Sequence, residues 1–485
     1  MRTAAMKAAA RQQGAGTGRQ IEVPLPTRGI FTNAKDAEIS GLFASRLENF
    51  KTDGVLLELR REVTYGASDE LAVQRVPFEF AGAQYYIELR GDRAQANGQE
   101  YMRAWSGDAM TAYISSNAVI VDGHGDPVIF NGAAFSGGLF STTTGVDQSE
   151  FDGVIAHHDR LYFWKTGGTL ELYYGEVGAI TGPLARFPLG RLGNITGQIL
   201  TIMPLTIDAG QNTNDTLCII TTTGQAVIYS GLDPSDPTDW NLVSRLKIAP
   251  PLSRFSAASV GSDVWIVTSS GIASMAQSIA QGVLALVNEV SRPIAKEILT
   301  LIAEGPADWQ LHTAADGSQI ILNRWDGASA RQFLYEIESK AWTTASYPAR
   351  FWHNLVLDTA FTTGAGILGT LGDGLDGSET ITAEWHSSWF TIKQYARVAS
   401  LTPTIIAKGS LSVTITVLSD HDETAADIAE AEQTVTLVPD DPADPGGRVA
   451  LNDVISIGAV GSSFQIRLRI TAQWARLVKL MANVE

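Results

Sequence analysis

The chain has 485 residues, of which 45% are hydrophobic, and this length is sufficient for two to four domains with sizeable cores. Its 35 Lys and Arg against 52 Asp and Glu give a net charge of −17, which argues against a surface evolved to grip nucleic-acid phosphates. The single cysteine, Cys218, excludes an intrachain disulfide framework, and every apolar stretch is interrupted well before the roughly 18 residues of a membrane span. We therefore expect a soluble protein in which Cys218, inside an apolar run, is a small buried hydrophobe.

Residues 1–20 form a basic segment without any acidic residue. They lack an apolar block of 7–15 residues, which argues against a secretory signal. Two interpretations stay open: a flexible terminus, or an arm that docks on an acidic partner. The candidate docking residues are Arg2, Lys7 and Arg11.

Short apolar runs joined by Gly- or Asp-containing turns fill the middle of the chain. The pattern of run, turn and second run starts at Asp159, Asp215, Asp263, Asp316 and Ala365, which gives steps of 56, 48, 53 and 49 residues. Two weaker members precede these, at residues 84–89 and 118–130. A period near 50 residues made of β-hairpins is typical of a β-propeller. We predict six or seven blades within a domain of residues 21–378.

Two segments depart from this pattern. Residues 274–304 are rich in Ala, Leu and Glu with apolar residues at helical spacing, and Pro293 should divide them into two helices. Residues 379–485 contain runs that alternate with period two, as half-exposed antiparallel strands do. The sequence thus predicts a mainly β protein: a propeller with a short helical insertion, and a C-terminal β-sandwich over 379–485.

The sequence contains only weak matches to catalytic, cofactor-binding or metal-binding motifs. Residues 364–369 match a dinucleotide-binding glycine pattern, but no helix follows them. Residues 122–126 and 373–379 carry spaced acids that could hold a metal, although Asp-Gly turns are the commoner explanation in all-β proteins. His157 and His158 are adjacent, so on a strand their side chains should point to opposite faces. We predict no catalytic residue, no metal site and no cofactor, and hence a protein that is not an enzyme.

Several segments resemble one protein family, the tail nozzle (tail tubular protein B-like) and packaged-DNA stabilisation proteins of short-tailed bacteriophages. The N-terminal part, with its Pro-rich lead and its Leu-Glu-Asn-aromatic element, is similar to the family opening. Later segments resemble the family's middle blades, a later blade end and its closing sandwich. The matching segments are residues 24–33, 44–50, 54–60, 170–180, 187–190, 206–210, 227–235, 337–342 and 385–390.

The resemblance implies a structural protein of the virion tail, assembled in the bacterial host cytoplasm. It implies a ring, hexameric by expectation, that is stacked below the portal and adaptor rings and conducts double-stranded DNA without sequence preference. The negative charge fits such a conduit independently, because an acidic wall repels DNA over about 8–10 Å and lets it slide.

Two acidic loops are candidates for the lumen or a ring contact, and solvated turns on an outer face are the alternative. Their residues are Asp233, Asp236, Asp239, Asp440, Asp441 and Asp444. Two other functions also stay open: a polysaccharide-degrading propeller, which would need paired carboxylates at the axis, and a receptor-binding propeller.

Overall fold

The computed structural model describes residues 19–33, 40–66, 72–142, 146–168, 170–208, 213–281, 290–354, 358–372, 379–420, 431–439 and 447–485. The candidate residues Arg2, Lys7, Arg11, Asp440, Asp441 and Asp444 lie outside these ranges. Within them the chain forms 39 strands and two short α-helices. The protein is mainly β, as predicted. No helix among the described residues is long and apolar enough to span a membrane.

Seven successive meanders make up the middle of the chain, after five short strands at its start. The first five strands are β1 (Arg19–Glu22), β2 (Ala44–Glu48), β3 (Phe50–Thr52), β4 (Leu57–Leu59) and β5 (Val63–Tyr65). Blade 1 is β6 (Ala72–Phe80), β7 (Ala83–Arg90), β8 (Arg93–Ala96) and β9 (Gln99–Met102). Blade 2 is β10 (Met110–Ile114), β11 (Asn117–Val121), β12 (Val128–Phe130) and β13 (Phe135–Gly137). Blade 3 is β14 (Phe140–Thr142), β15 (Gly153–His157), β16 (Arg160–Trp164), β17 (Glu171–Tyr174) and β18 (Gly182–Pro188).

The remaining blades follow in order. Blade 4 is β19 (Ile199–Asp208), β20 (Thr213–Thr221), β21 (Gln225–Ser230) and β22 (Asn241–Lys247). Blade 5 is β23 (Ala257–Val260), β24 (Asp263–Thr268) and β25 (Gly271–Ser274), followed by helices α1 (Met275–Gln281) and α2 (Ala295–Ala303). Blade 6 is β26 (Asp308–Thr313), β27 (Gln319–Trp325), β28 (Ala330–Glu336) and β29 (Ala341–Ala345). Blade 7 is β30 (Ala349–Asn354), β31 (Thr359–Thr363) and β32 (Leu368–Leu371), completed by β5, which pairs with β32.

The blades form a closed ring, because the first long strand of each blade contacts that of the next and β30 of blade 7 returns to β6 of blade 1. Six blades are separate small sheets, and blade 6 continues through β29 and β2 into a larger sheet. The prediction of a propeller is confirmed. The central strands β11 and β16 are buried at every position, because each blade is covered on both faces by its neighbours.

The C-terminal strands are β33 (Ile381–Ser387), β34 (Phe390–Lys408), β35 (Leu411–Ser419), β36 (Glu432–Leu437), β37 (Arg448–Leu451), β38 (Ile455–Ala472) and β39 (Trp474–Val484). The long strands β34 and β38 pair with each other and link two groups of strands, β33 with β35 and β36, and β37 with β39. Both groups contribute to one apolar core, as in the predicted sandwich. Burial alternates along β33 and along the first half of β35, which have one face in this core.

The division between the two units differs from the predicted boundaries of 21–378 and 379–485. Strand β1 pairs with β39, β2 pairs with β33, and β4 pairs with β39, so these three strands belong to the sandwich. The propeller begins only at β5. A short strand gives no sequence signal for a partner more than 300 residues away, which is why the pattern alone assigned this segment to the nearest domain.

The predicted helical insertion is present after blade 5. Pro293 lies in a 3₁₀ turn, Arg292–Ile294, that leads directly into α2, because proline is tolerated in the first turn of a helix. Ile294, Ile298 and Leu301 are buried in the core that blades 5 and 6 share with the sandwich. The insertion therefore packs the two units against each other.

Six of the seven boundaries between blades contain an apolar cluster among the described residues. The boundary between blades 7 and 1 does not, and we call it the polar seam. It contains the buried side chains of Arg75 and His353. The Arg75 guanidinium donates to the carbonyl of Gly366 at 2.6 Å, and the His353 ring lies edge-on to Tyr86 with centroids 5.4 Å apart.

Candidate functional site

Charged side chains gather at one mouth of the propeller axis. Strands alternate in direction within a blade, so the start of every innermost strand lies at the same end of the ring. Five blades each contribute one charged residue, which lies shortly before the innermost strand or among its first two residues. We call this set the axial mouth: Asp108, Asp152, Arg254, Asp308 and Arg350.

Arg254 spans the axis. It precedes blade 5, yet its guanidinium forms an ion pair of 3.1 Å with Asp152 at blade 3, and one of 3.8 Å with Asp108 at blade 2. It also donates to the backbone carbonyls of both aspartates. Because blades 5, 3 and 2 are not all neighbours in the ring, these contacts cross the central channel.

An open pocket with a cavity volume of about 100 Å³ lies beside Arg254. Two aromatic rings from different blades form one wall, with Phe255 and Phe351 in an edge-to-face contact at 5.0 Å between centroids. The Arg254 guanidinium lies 5.3 Å from the centre of the Phe255 ring. Arg350 lines the same pocket and donates to the carbonyl of Val73 at 3.2 Å, which joins blade 7 to blade 1.

Two carboxylates at the axial mouth have raised pKa values. Partial burial, followed by the nearby charge of Asp108, raises the pKa of Asp308, and Arg350 and Arg254 oppose this shift. Burial also raises the pKa of Asp152, although a hydrogen bond from Thr166 and the Arg254 charge act in the other direction. Additional hydrogen-bond donors would therefore stabilise the ionised form of both carboxylates.

Side-chain amides fix the strands around this pocket. Gln310 on β26 donates to the carbonyl of Trp352 on β30 at 2.8 Å and accepts from its backbone N–H at 2.7 Å. Gln74 forms the same pair of bonds with Ala109, at 2.9 and 2.7 Å, between blades 1 and 2. Each glutamine thus supplies two ladder-like bonds where adjacent innermost strands diverge, which holds the mouth in one geometry.

The described acidic loop lies elsewhere. Asp233, Asp236 and Asp239 lie between β21 and β22, the third and fourth strands of blade 4, at the outer edge of the ring and at the opposite mouth. Hydrogen bonds from Ser235 lower the pKa of Asp233, and hydrogen bonds from Thr238 lower the pKa of Asp236. Asp239 accepts from the backbone N–H groups of Leu232 and Asp233, at 2.6 and 2.8 Å. The three carboxylates therefore cap their own turn.

Of the two histidines, His158 contradicts the prediction of opposite faces. It follows the last residue of β15 in a turn with φ of 49°, and its ring lies 4.1 Å from that of His157. Burial, and then the neighbouring His158, lower the pKa of His157 to about 4. The two residues are on a strand end and a turn, where strict alternation no longer holds.

The other motifs are turns. Residues 364–369 form the turn after β31 and the first two residues of β32, and no helix follows them. Asp122 caps the turn at His124 with a backbone bond of 3.2 Å and pairs with Arg103. Of residues 373–379, only Glu379 lies in the described part of the chain. Within that part, no three His, Cys, Asp or Glu side chains are close enough to hold a metal. Cys218 is fully buried, as predicted.

Sequence reasoning missed the axial mouth. Arg254 and Arg350 lie in no motif, and ring closure alone brings them near Asp108 and Asp308. A usable signal was present: a charged residue stands at or shortly before the start of the innermost strand in several blades. Aligning the blades on those starts would have revealed the cluster.

No protein-family model and no curated protein matches the chain. Solved structures similar to it include BamB from Moraxella catarrhalis, at 10% identity and a TM-score of 0.37, covering 64% of this chain and 99% of BamB. The WD40 β-propeller domain of Doa1 is 8% identical, with a TM-score of 0.40 and coverage of 64% and 96%. YCF48 from Cyanidioschyzon merolae is 12% identical, with a TM-score of 0.33 and coverage of 73% and 98%.

Proposed function

We propose that the chain is a structural, non-enzymatic subunit of the tail of a short-tailed bacteriophage. Copies of it form a nozzle ring, hexameric by expectation, below the portal and adaptor rings. The ring surrounds the path of the genome and helps to retain and eject it. The observation that carries the proposal is the set of family-like segments, which extend through the sandwich strands β2 to β4, blades 3 and 4, and residues 385–390.

The path of the DNA in this proposal lies between copies. Arg254 bridges the axis of each propeller to Asp108 and Asp152, so a duplex has no room to thread a single subunit. A net charge of −17 per chain supports a conduit that does not hold its cargo, because few phosphates are neutralised at its wall.

The test is the assembly state of the full-length protein. Mass photometry and negative-stain electron microscopy of the purified chain should reveal closed rings, and virions should contain the chain at the tail. A chain that stays monomeric at micromolar concentration and is missing from virions would remove the proposal.

The acidic loop of blade 4 allows a sharper test of the lumen. Replacing Asp233, Asp236 and Asp239 together by Asn keeps a side-chain acceptor for each capping bond while removing three negative charges. If the loop lines the lumen, rings of this variant should bind double-stranded DNA several-fold more tightly at low salt, measured by fluorescence anisotropy. Asp326→Asn, which alters a similar turn elsewhere, is the control. Equal DNA binding by all three proteins would assign the loop to an outer surface.

A second candidate, a receptor-binding or polysaccharide-degrading propeller, is favoured by one observation. Asp108 and Asp308 lie in one axial pocket, and the charge of Asp108 contributes to the raised pKa of Asp308. Release of reducing sugar from polysaccharide, abolished by Asp308→Asn, would establish cleavage. Its absence across a polysaccharide panel would leave binding alone.

A further inference from the structure

We propose that the pocket at the axial mouth binds one neutral sugar ring of pyranose size. The proposal is independent of the nozzle ring, and it gives the second candidate function a ligand class. It rests on the shape of the pocket, the alternation of donors and acceptors around it, and its charge balance.

The walls suit the two surfaces of a sugar. Phe255 and Phe351 present partly exposed rings from blades 5 and 7, and such apolar faces pack against the C–H groups of a pyranose. The cavity is open and measures about 100 Å³, so it holds one face or edge of a single ring and leaves the rest of the ligand in solvent.

The polar groups suit vicinal hydroxyls. Asp108 and Asp308 supply carboxylate acceptors, and Arg254 and Arg350 supply guanidinium donors at the same rim. Neighbouring hydroxyls, each both donor and acceptor, can bridge such a mixture. The Asp308 carboxylate lies at the exposed rim near Asp108, and a hydrogen bond donated by a ligand hydroxyl would stabilise its ionised form against both its partial desolvation and the neighbouring negative charge.

The charges disfavour a strongly charged ligand. Asp108, Asp152 and Asp308 face Arg254 and Arg350, so the mouth is within one charge of neutral when all five groups are ionised. Arg254 pairs with Asp152 at 3.1 Å and with Asp108 at 3.8 Å, which leaves Asp308 and Arg350, one charge of each sign, at the rim. An anion would meet Asp308, and a cation would meet Arg350.

The pocket is also preorganised. Gln310 ties β26 to β30 by two bonds, and the hydroxyl of Ser253 donates to the carbonyl of Trp309, which joins blade 5 to blade 6. A rigid site loses little conformational entropy when its ligand binds.

The experiment uses the full chain and three methyl pyranosides, of glucose, galactose and mannose, in saturation-transfer-difference NMR and calorimetry. At least one should bind with a Kd in the millimolar range. Asp308→Asn should weaken that binding about tenfold, since a hydrogen bond to a charged group is lost. Phe351→Leu should weaken it as well, and Asp236→Asn, on the opposite mouth, should leave it unchanged.

Three results would overturn the proposal. One is a titration without saturation by about 20 mM of each glycoside. Another is binding that both pocket variants retain. The third is tighter binding of methylammonium or acetate than of any glycoside. Thermal unfolding checks that the variants fold. If Phe351→Leu does not fold, the result for Asp308→Asn alone decides whether the proposal stands. Intact rings without glycoside binding would reject only this pocket, and glycoside binding by a permanent monomer would reject only the nozzle.

Discussion

His353 shows how a single buried side chain in the polar seam can make stability depend on pH. Its ring is 5% exposed, and neither ring nitrogen has a hydrogen-bond partner among the described residues. Burial first, and then the charges of His312 and Arg75, lower its pKa to about 3. The folded protein therefore holds His353 neutral at pH values where the unfolded chain binds a proton.

This difference predicts acid sensitivity. Above pH 6.5, His353 is neutral in both the folded and the unfolded chain and has no effect on stability. As the pH falls from 6.5 towards 3, only the unfolded chain binds the proton, which lowers the free energy of unfolding by about 2 kcal/mol at pH 5. His353→Phe should reduce the loss of stability between pH 7 and pH 5 by about this amount, measured by urea denaturation at both pH values. Tyr86→Phe changes the same seam without a group that titrates in this range, and it should keep the wild-type pH dependence. Identical pH profiles for wild type and His353→Phe would refute this role.

Gly153 shows a second residue-scale constraint, close approach of the backbone to an aromatic ring. A Cβ atom at this position would overlap three atoms of the fully buried Trp164 indole. Blade 3 thus requires glycine at the start of its innermost strand.

We therefore expect Gly153→Ala to lower the free energy of unfolding by about 2 to 3 kcal/mol, because the indole has no free space into which to move. Gly91→Ala is the control, since an added Cβ there would meet nothing within 4 Å and the residue does not adopt a positive φ. Chemical denaturation of both variants measures the difference. Equal stabilities would mean that the indole of Trp164 relaxes freely.

At the scale of elements, the blades are not equally joined. Blades 3 and 4 share an apolar cluster that includes Tyr162, Trp164 and Leu217. The polar seam between blades 7 and 1 relies on the bonds of Arg75 to Gly366 and of Arg350 to Val73 instead. Opening the polar seam exposes less apolar surface, so it should cost less free energy.

Hydrogen exchange measures this difference directly. Amides of β31, in blade 7, should exchange at least about tenfold faster than those of β16, in blade 3, under native conditions, because exchange follows the cost of local opening. Both are interior strands of their blades, so they form a matched pair. Equal protection of β31 and β16 would contradict a weak seam.

At the scale of the whole molecule, a partly buried ion pair lies where the sandwich meets the propeller. Arg60, just after β4, pairs with Glu379 at 2.8 Å and donates to Asn49 at 3.1 Å, and its guanidinium lies 4.3 Å from the centre of the Tyr347 ring. Glu379 also accepts from the backbone N–H of Val63 in blade 7 at 2.7 Å. The two units also share one apolar core, so we expect them to unfold together.

Arg60→Met keeps most of the buried stem but leaves Glu379 without its charge partner. It should lower the free energy of unfolding by about 3 kcal/mol, with a single transition retained. Arg46→Met removes ion pairs of a half-exposed arginine, and it should cost no more than about 1 kcal/mol. Urea denaturation followed by tryptophan fluorescence and circular dichroism tests both. Two separate transitions in the wild-type protein would contradict the coupling.

The repeat could be recognised in the sequence because each blade has the same local features. Strands covered on both faces form continuous apolar runs, and Asp159, Asp263 and Asp316 mark the turns or starts of second strands. The fifth marker, Ala365, lies instead in the turn between the second and third strands of blade 7, one strand later than the other markers. Such errors shift a period without hiding it, since burial on both faces persists along each blade.

The sequence by itself determined the class of the fold, the helical insertion with Pro293 just before its second helix, the alternating strands of the sandwich and the burial of Cys218. All of these depend on neighbours within a few residues. Only the tertiary structure decided that β1, β2 and β4 join the sandwich, that the polar seam lacks an apolar cluster among the described residues, and that Arg254 meets Asp108 and Asp152 across the axis. These contacts arise when the ring closes, and the pairing of residues hundreds of positions apart depends on shape and charge that no local pattern encodes.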